Sequence, residues 1–459
     1  MQFHDRLHTL IHQQRQFFNT GETKEIHFQI TQLKALRHAI LDHEKMILDA
    51  LKADLNKSEY EAYGTEIRVV NAEINHAIKH IRSWAKPKYV STPLEQFPVR
   101  AKICPEPLGV VLILAPWNYP FQLTIAPLVG AIAAGNCVLL KPSELAPHTS
   151  HAIAELIQST FDSAYITVIE GGVEVSQIIL EEKFDHIFFT GGTAIGKRVM
   201  SAAAQHLTPV TLELGGKSPC IVDIDIDVDC TARRIVWGKF LNAGQSCVAP
   251  DYILVDRRIK SALIPAMQTA IQSFFGIDPA QSPDYARIIS DRHFSRLVNL
   301  MQNGNVLIGG ETKPDERYIA PTLLDQGSLD DPIMQEEIFG PILPLIEYES
   351  IEDTIALITA RPKPLALYLF TRNPQLQQRI QHATSSGSFC INETMMHLAI
   401  PDLPFGGIGE SGIGSYHGKA GFDTFSHRKS VLSKPFWLDV FLRYPPYEGK
   451  LAIVRRLFG

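Results

Sequence analysis

The segment Asn242, Ala243, Gly244, Gln245, Ser246, Cys247 places a cysteine after a small, polar, glycine-containing stretch that reads as a turn. A thiol on such a turn is exposed and open to activation as a nucleophile, whereas Cys137 and Cys220, in or beside apolar strands, read as small buried hydrophobes. Glu213, in TLELGGK from Thr211 to Lys217, stands at a strand end where two glycines let another backbone approach. It suits a general base or an ordinary solvated carboxylate. Asn118 lies between Pro116 and Pro120, so its amide direction is fixed, as an oxyanion donor or a plain turn requires. The run His186 to Thr190 passes into Gly191, Gly192, Thr193, Ala194, Ile195 and Gly196 and then into helix-like Lys197 to His206. Strand, glycine turn and helix form a phosphate-binding context, although the spacing is G-G-x-x-x-G and a tight turn explains the glycines equally well. Lys141 and Glu144 sit at another strand end, placed for a ribose or for a solvated turn around Pro142.

These residues need a frame, and the pattern around them supplies one. Gly109 to Ala115, Asn136 to Lys141, Ile166 to Glu170 and His186 to Thr190 are short runs apolar on both faces, separated by helical lengths rich in Ala and Leu. That alternation predicts an α/β fold with a parallel sheet. It restarts at Ser218 to Asp223, Asp251 to Asp256, Gly340 to Glu347, Ala366 to Thr371 and Gly387 to Asn392, which predicts a second α/β unit. The first 85 residues, with Ile30, Leu33, Leu36, Ile40 and Ile47 at helical spacing, read as amphipathic helices. Prolines from Pro87 to Pro107 forbid helix, and Val99 to Ile103 reads as one arm of an extended hairpin.

A chain of 459 residues with 45% apolar and 20% charged residues buries sizeable cores and is not intrinsically disordered. Its 43 basic and 49 acidic residues give a net charge of −6, which excludes the basic excess expected of a nucleic-acid binder. Six cysteines without paired spacing suggest neither a disulfide framework nor a metal site, and a reducing, cytoplasmic compartment is expected. The first ten residues do not read as a secretory signal, and Ile125 to Leu140, interrupted by Pro127, Gly130, Gly135 and Asn136, falls short of a spanning helix, so a soluble protein is expected.

Taken together, the motifs resemble the aldehyde dehydrogenase superfamily. PWNYPF (116–121), KPSE (141–144), FTGGTAIG (189–196), ELGGK (213–217), GQSC (244–247), EEIFGP (336–341) and PFGG (404–407) follow that family's order. The short chain, GIGSYHGKAGFDTFSHRKS (412–430) and RYPPY (443–447) are similar to its class 3 branch of fatty and aromatic aldehyde dehydrogenases. The resemblance implies a Rossmann-like dinucleotide domain from 1–83 and 102–212, a catalytic domain from 213–400, a small β oligomerisation element from 84–101 and 401–430, and a tail from 431–459. It also implies a homodimer, NAD as cofactor with NADP accepted, and no metal. By matching position, Cys247 is the nucleophile, Asn118 the oxyanion donor and Glu213 the base for thioester hydrolysis. Trp117, Lys141, Glu144, Gly191, Gly192, Gly196, Glu337 and Phe339 correspond to cofactor contacts, while Tyr119, Met395, Met396 and Phe405 line the path of an apolar aldehyde. Transfer of the acyl group to coenzyme A, or a catalytically silent dinucleotide-binding protein, are the competing readings; Glu213, and its retention together with Cys247 and Asn118, argue against them. The aromatic and basic tail from Lys434 onward is expected either to make a peripheral membrane contact or cover the substrate entrance, or to pack back on the protein.

Overall fold

The computed structural model describes residues 3–93, 96–302, 304–326 and 328–458. Residues 94 and 95 of the expected oligomerisation element, and 459 at the end of the expected tail, lie outside the described residues. The N-terminal stretch forms helices Phe3–Asn19, Ile26–Asp42, Glu44–Leu55 and Arg68–Trp84. Leu33, Leu36, Ile40 and Ile47 are fully buried, as their helical spacing requires, while Ile30 is only partly so. A π-helical turn, Tyr63–Ile67, leads into the last of these helices.

A six-stranded sheet has the order Gly412–Ile413, Val210–Glu213, His186–Thr190, Val110–Leu114, Cys137–Lys141 and Ile166–Val168. All neighbours are parallel except the first pair. Strands Val110–Leu114, Cys137–Lys141 and His186–Thr190 are buried along their whole length, as two-sided apolar runs must be. The loops that follow them therefore gather at one edge of the sheet, the carboxyl edge where open α/β sheets bind ligands. The helix Gln122–Ala134 is buried on every side and ends at Gly135, whose φ of 91° is the left-handed conformation a helix stop uses. It crosses the helix Gly418–Thr424 so closely that a Cβ on Gly130 would stand 3.1 Å from the Gly421 backbone. Residues assigned from sequence to the oligomerisation element thus also extend and cover the first sheet.

The second unit is a seven-stranded sheet in the order Asn305–Ile308, Thr322–Asp325, Ile342–Tyr348, Tyr252–Asp256, Pro219–Val222, Ala366–Phe370 and Ser388–Ile391. All pairs but the first are parallel. A third, antiparallel sheet joins Lys88–Val90, Arg100–Pro107 and Ser426–Ser433. Its two outer strands are largely exposed, with Tyr89 71% and Leu432 67% accessible, while Arg100–Pro107 between them is mostly half-buried. Beyond it the tail turns at Phe441–Arg443 and forms the helix Lys450–Phe458. Phe436, Trp437, Phe441 and Tyr447 are all more than half exposed, so these aromatic side chains do not pack on the body of this chain. Among the described residues no helix is long and apolar enough to cross a membrane.

Candidate active site

The helix Val228–Phe240 delivers the chain to a turn in which Asn242, Ala243 and Gly244 have φ of 52°, 51° and 72°. A Cβ on Gly244 would stand 2.3 Å from the Gly340 carbonyl oxygen, so only glycine lets the two segments meet. Gln245 is fully buried and ties the turn down: its Nε2 donates to the Asn242 and Arg287 carbonyls, each at 3.0 Å, and its Oε1 accepts from the Ile289 N–H at 3.0 Å. Cys247 follows, partly buried. Its thiol is pushed above the ordinary range by burial and then by the nearby Glu337 and Glu213 carboxylates. The thiol is thus partly accessible, and burial and its acidic neighbours favour its neutral form.

Asn118 arrives from the other unit and meets this turn. Its Nδ2 donates to the Gln245 carbonyl at 3.1 Å, while its own carbonyl accepts from Asn242 Nδ2 at 2.8 Å and Lys57 Nζ at 3.0 Å. Lys57 forms a fully buried ion pair with Glu66 and lies 4.1 Å from the Tyr119 ring centre. The other Glu66 oxygen accepts from the Phe121 and Gln122 N–H groups at 2.9 and 3.1 Å, which caps the helix Gln122–Ala134 with a carboxylate. Sequence reading misses Lys57 and Glu66, since charged residues in a helical stretch look solvated.

Glu213 ends its strand 2% exposed, and among the described residues neither carboxyl oxygen has a hydrogen-bond partner. Burial holds its proton well above the carboxylate range. Glu337 is also held up, to about 8, by burial and then by Asp251, against the opposing pull of the Gly216 N–H and Lys217. A Cβ on Gly215 would stand 2.1 Å from Glu337 Oε2, so the ELGGK glycine makes room for this carboxyl. Lys217 anchors the segment by pairing with Asp251 and donating to the Ile333 and Glu336 carbonyls at 2.8 and 3.0 Å. Phe339, at φ 51°, sets its ring edge-on to Trp117 with centres 5.2 Å apart.

Two cavities result. One, of about 780 Å³, is lined by Trp117, Asn118, Gly191, Gly192, Glu337 and Phe339 and also by Glu213 and Cys247. The other, of about 620 Å³, is lined by Tyr119, Met395, Met396 and Phe405, with Trp237, Phe274, Phe275 and Glu61, which sequence reading did not single out. Cys247 and Leu123 line both. Three expected cofactor residues line neither. Lys141 bonds Glu144 at 3.1 Å at the end of its strand, and Gly196 lets its helix pack closely, since a Cβ there would stand 2.7 Å from Leu214 Cδ2.

The comparisons agree with this architecture. Residues 28–431 match the model of the aldehyde dehydrogenase family. The chain is 51% identical over 444 residues to 4,4′-diaponeurosporen-aldehyde dehydrogenase of Staphylococcus aureus (strain NCTC 8325 / PS 47), covering 96% of this chain and 97% of that protein. It is 48% identical over 439 residues to the dimeric NADP-preferring aldehyde dehydrogenase of Rattus norvegicus, covering 95% of this chain and 97% of that one. The solved substrate-bound state of Staphylococcus aureus AldH superposes with a TM-score of 0.96 at 49% identity, over 98% of this chain and 99% of that chain. With the motifs in order, the two sheets in place and relatives matched along nearly their whole length, the chain belongs to the aldehyde dehydrogenase family and is an oxidoreductase acting on aldehydes.

Proposed function

We propose that the chain oxidises apolar aldehydes, medium- and long-chain aliphatic or aromatic, to carboxylic acids with NAD or NADP. The observation that carries this reading is Cys247 at the junction of two cavities, with the Asn118 amide anchored beside it on Gln245 and the partnerless Glu213 carboxyl on the same wall. The larger cavity fits a dinucleotide by its chemistry. The helix Thr193–Ala204 opens on it with N–H groups that have no helical acceptor and favour phosphate, Glu337 offers a carboxylate to ribose hydroxyls, and Phe339 and Trp117 offer ring faces. The smaller, mainly apolar cavity takes the aldehyde tail.

In this reading Cys247 Sγ adds as thiolate to the aldehyde carbon, and the oxyanion that forms accepts from Asn118 Nδ2 and the Cys247 N–H. Bound in the larger cavity, NAD or NADP supplies the acceptor for the hydride whose loss leaves a thioester on Cys247. Glu213 takes a proton from the water that attacks the thioester, and its raised proton affinity suits that task. The acid leaves and the thiol is restored. Cys247→Ala is expected to abolish NADH formation while dinucleotide binding, followed by fluorescence, is retained. Glu213→Gln is expected to give a burst of NADH and then a steady state slowed by roughly 10² to 10⁴ fold. Turnover by the Cys247 variant, or equal loss in both phases for the Glu213 variant, would overturn the assignment.

The exposed three-stranded sheet and the aromatic, basic tail support a dimer face and a peripheral lipid contact on the same reading.

A further inference from the structure

The apolar cavity contains an acid that the chemistry above does not use. Glu61, in the short helix Glu59–Ala62, is 8% exposed and lines the cavity wall. Burial pushes its carboxyl up to about 7. A buried carboxyl is costly to keep on an apolar wall, so its partner matters. Glu61 Oε1 accepts from the Asn242 N–H at 2.9 Å, across a separation of 181 residues.

Asn242 and its neighbour Ala243 are non-glycine residues in left-handed conformations, at φ 52° and 51°. Such conformations persist only where surrounding contacts over-determine them. Other contacts use the Asn242 side-chain amide and backbone carbonyl: the amide donates to the Asn118 and Gln245 carbonyls at 2.8 and 3.2 Å, and the backbone carbonyl accepts from the Gln245 N–H at 3.1 Å and from Gln245 Nε2 at 3.0 Å. Glu61 takes the backbone N–H, while the buried Asn242 Oδ1 has no partner among the described residues. Without an acceptor there, a buried donor would be stranded inside a strained turn. That turn leads directly into Cys247, and it also holds the Gln245 carbonyl on which the Asn118 amide rests.

We propose that Glu61 is a positioning residue for the nucleophile. From the aldehyde side it clamps the left-handed Asn242–Ala243 turn, and so fixes where Cys247 and the Asn118 amide meet. The proposal rests on the reading of Cys247 as the nucleophile, and the experiment separates the two.

The full chain is compared with Glu61→Gln, which keeps an oxygen acceptor, with Glu61→Ala, which does not, and with Cys247→Ala. Each is assayed for kcat, for KM of the aldehyde and of NAD, and for the rate at which iodoacetamide labels Cys247 without aldehyde, read by peptide mass spectrometry. Glu61→Ala is expected to lower kcat by roughly 10- to 100-fold, the loss that misplacement by about 1 Å brings, and to alter the labelling rate, with both KM values nearly unchanged. Glu61→Gln is expected to recover most of kcat and the native labelling rate. Glu61→Ala with native kcat, or Glu61→Gln as impaired as Glu61→Ala, would overturn the clamp. Where Glu61→Ala proves unstable, Glu61→Ala/Ala243→Gly is expected to fold and regain kcat, because glycine adopts the left-handed turn at little cost; no gain over the single variant overturns the clamp as well. Turnover surviving in Cys247→Ala would remove the nucleophile reading itself, whatever Glu61 does.

Discussion

Lys141 donates to the Glu144 carboxylate at 3.1 Å and to the Pro142 carbonyl at 2.9 Å, so each charge of this strand-end pair is partly satisfied by the other. On the reading that the pair meets the adenosine ribose, Glu144 accepts from ribose hydroxyls and repels a 2′-phosphate while Lys141 attracts it. Modest discrimination is therefore expected, with kcat/KM for NAD above that for NADP and both measurable. Complete exclusion of one cofactor would show that another residue decides. At this scale the sequence reveals residues that carry their signal locally. Cys247 follows a polar glycine turn, Asn118 lies between prolines, and Glu213 precedes two glycines. Glu61, Lys57 and Glu66 carry no such signal. Their burial arises only when the N-terminal helices pack against the segments around Asn118 and Asn242, contacts that no local periodicity encodes.

The helix Gln122–Ala134 depends on a charge it does not own. Glu66 caps its first N–H groups, and Lys57 neutralises Glu66 in a place without exposure. Lys57→Met is expected to destabilise the fold by about 3–5 kcal/mol in urea denaturation, because it strands a buried carboxylate. Adding Glu66→Gln is expected to return part of that loss. The strand His186–Thr190 holds a second test. His186 is 4% exposed, its Nε2 lies 3.0 Å from Thr211 Oγ1, and burial lowers its pKa from 6.5 to about 4. The folded chain thus favours the neutral ring, whose contribution is complete above about pH 6.5 and is lost as pH falls towards 4. That loss is on the order of 3 kcal/mol. His186→Leu is expected to flatten the decline in Tm between pH 6.5 and 4.5 relative to the native chain, and parallel curves would refute the assignment. Elements were legible where apolar runs had clear bounds, as at Cys137–Lys141. Thr322–Asp325 and Asn305–Ile308 were not, and Asn305–Ile308 is an exposed edge with no buried face to leave a pattern.

Across the whole molecule, the α/β alternation made both large sheets legible, but not the use made of the C-terminal residues. Gly412–Ile413 joins the first sheet, a pairing too distant in the chain for local pattern to reveal, whereas Ser426–Ser433 pairs with Arg100–Pro107, a grouping that only the family resemblance implied. The tail beyond Ser433 keeps Phe436 and Trp437 exposed beside Arg443, Lys450, Arg455 and Arg456. On the proposed lipid contact, the full chain is expected to co-sediment with phosphatidylserine-containing vesicles, and the chain truncated after Ser433 is not. If the tail instead serves the aldehyde entrance, truncation raises KM for dodecanal. Unchanged sedimentation refutes the first role, and unchanged KM the second.

Leu123 is buried to 8% exposure and borders both cavities, which makes it a partition one side chain thick. Molecules entering from the two openings need not compete, so inhibitors aimed at this chain fall into two classes that can occupy it together. Two weak fragments, one from each opening, would lie close enough to be joined past Leu123 and Cys247. The joined compound would gain from effective concentration what neither half has alone.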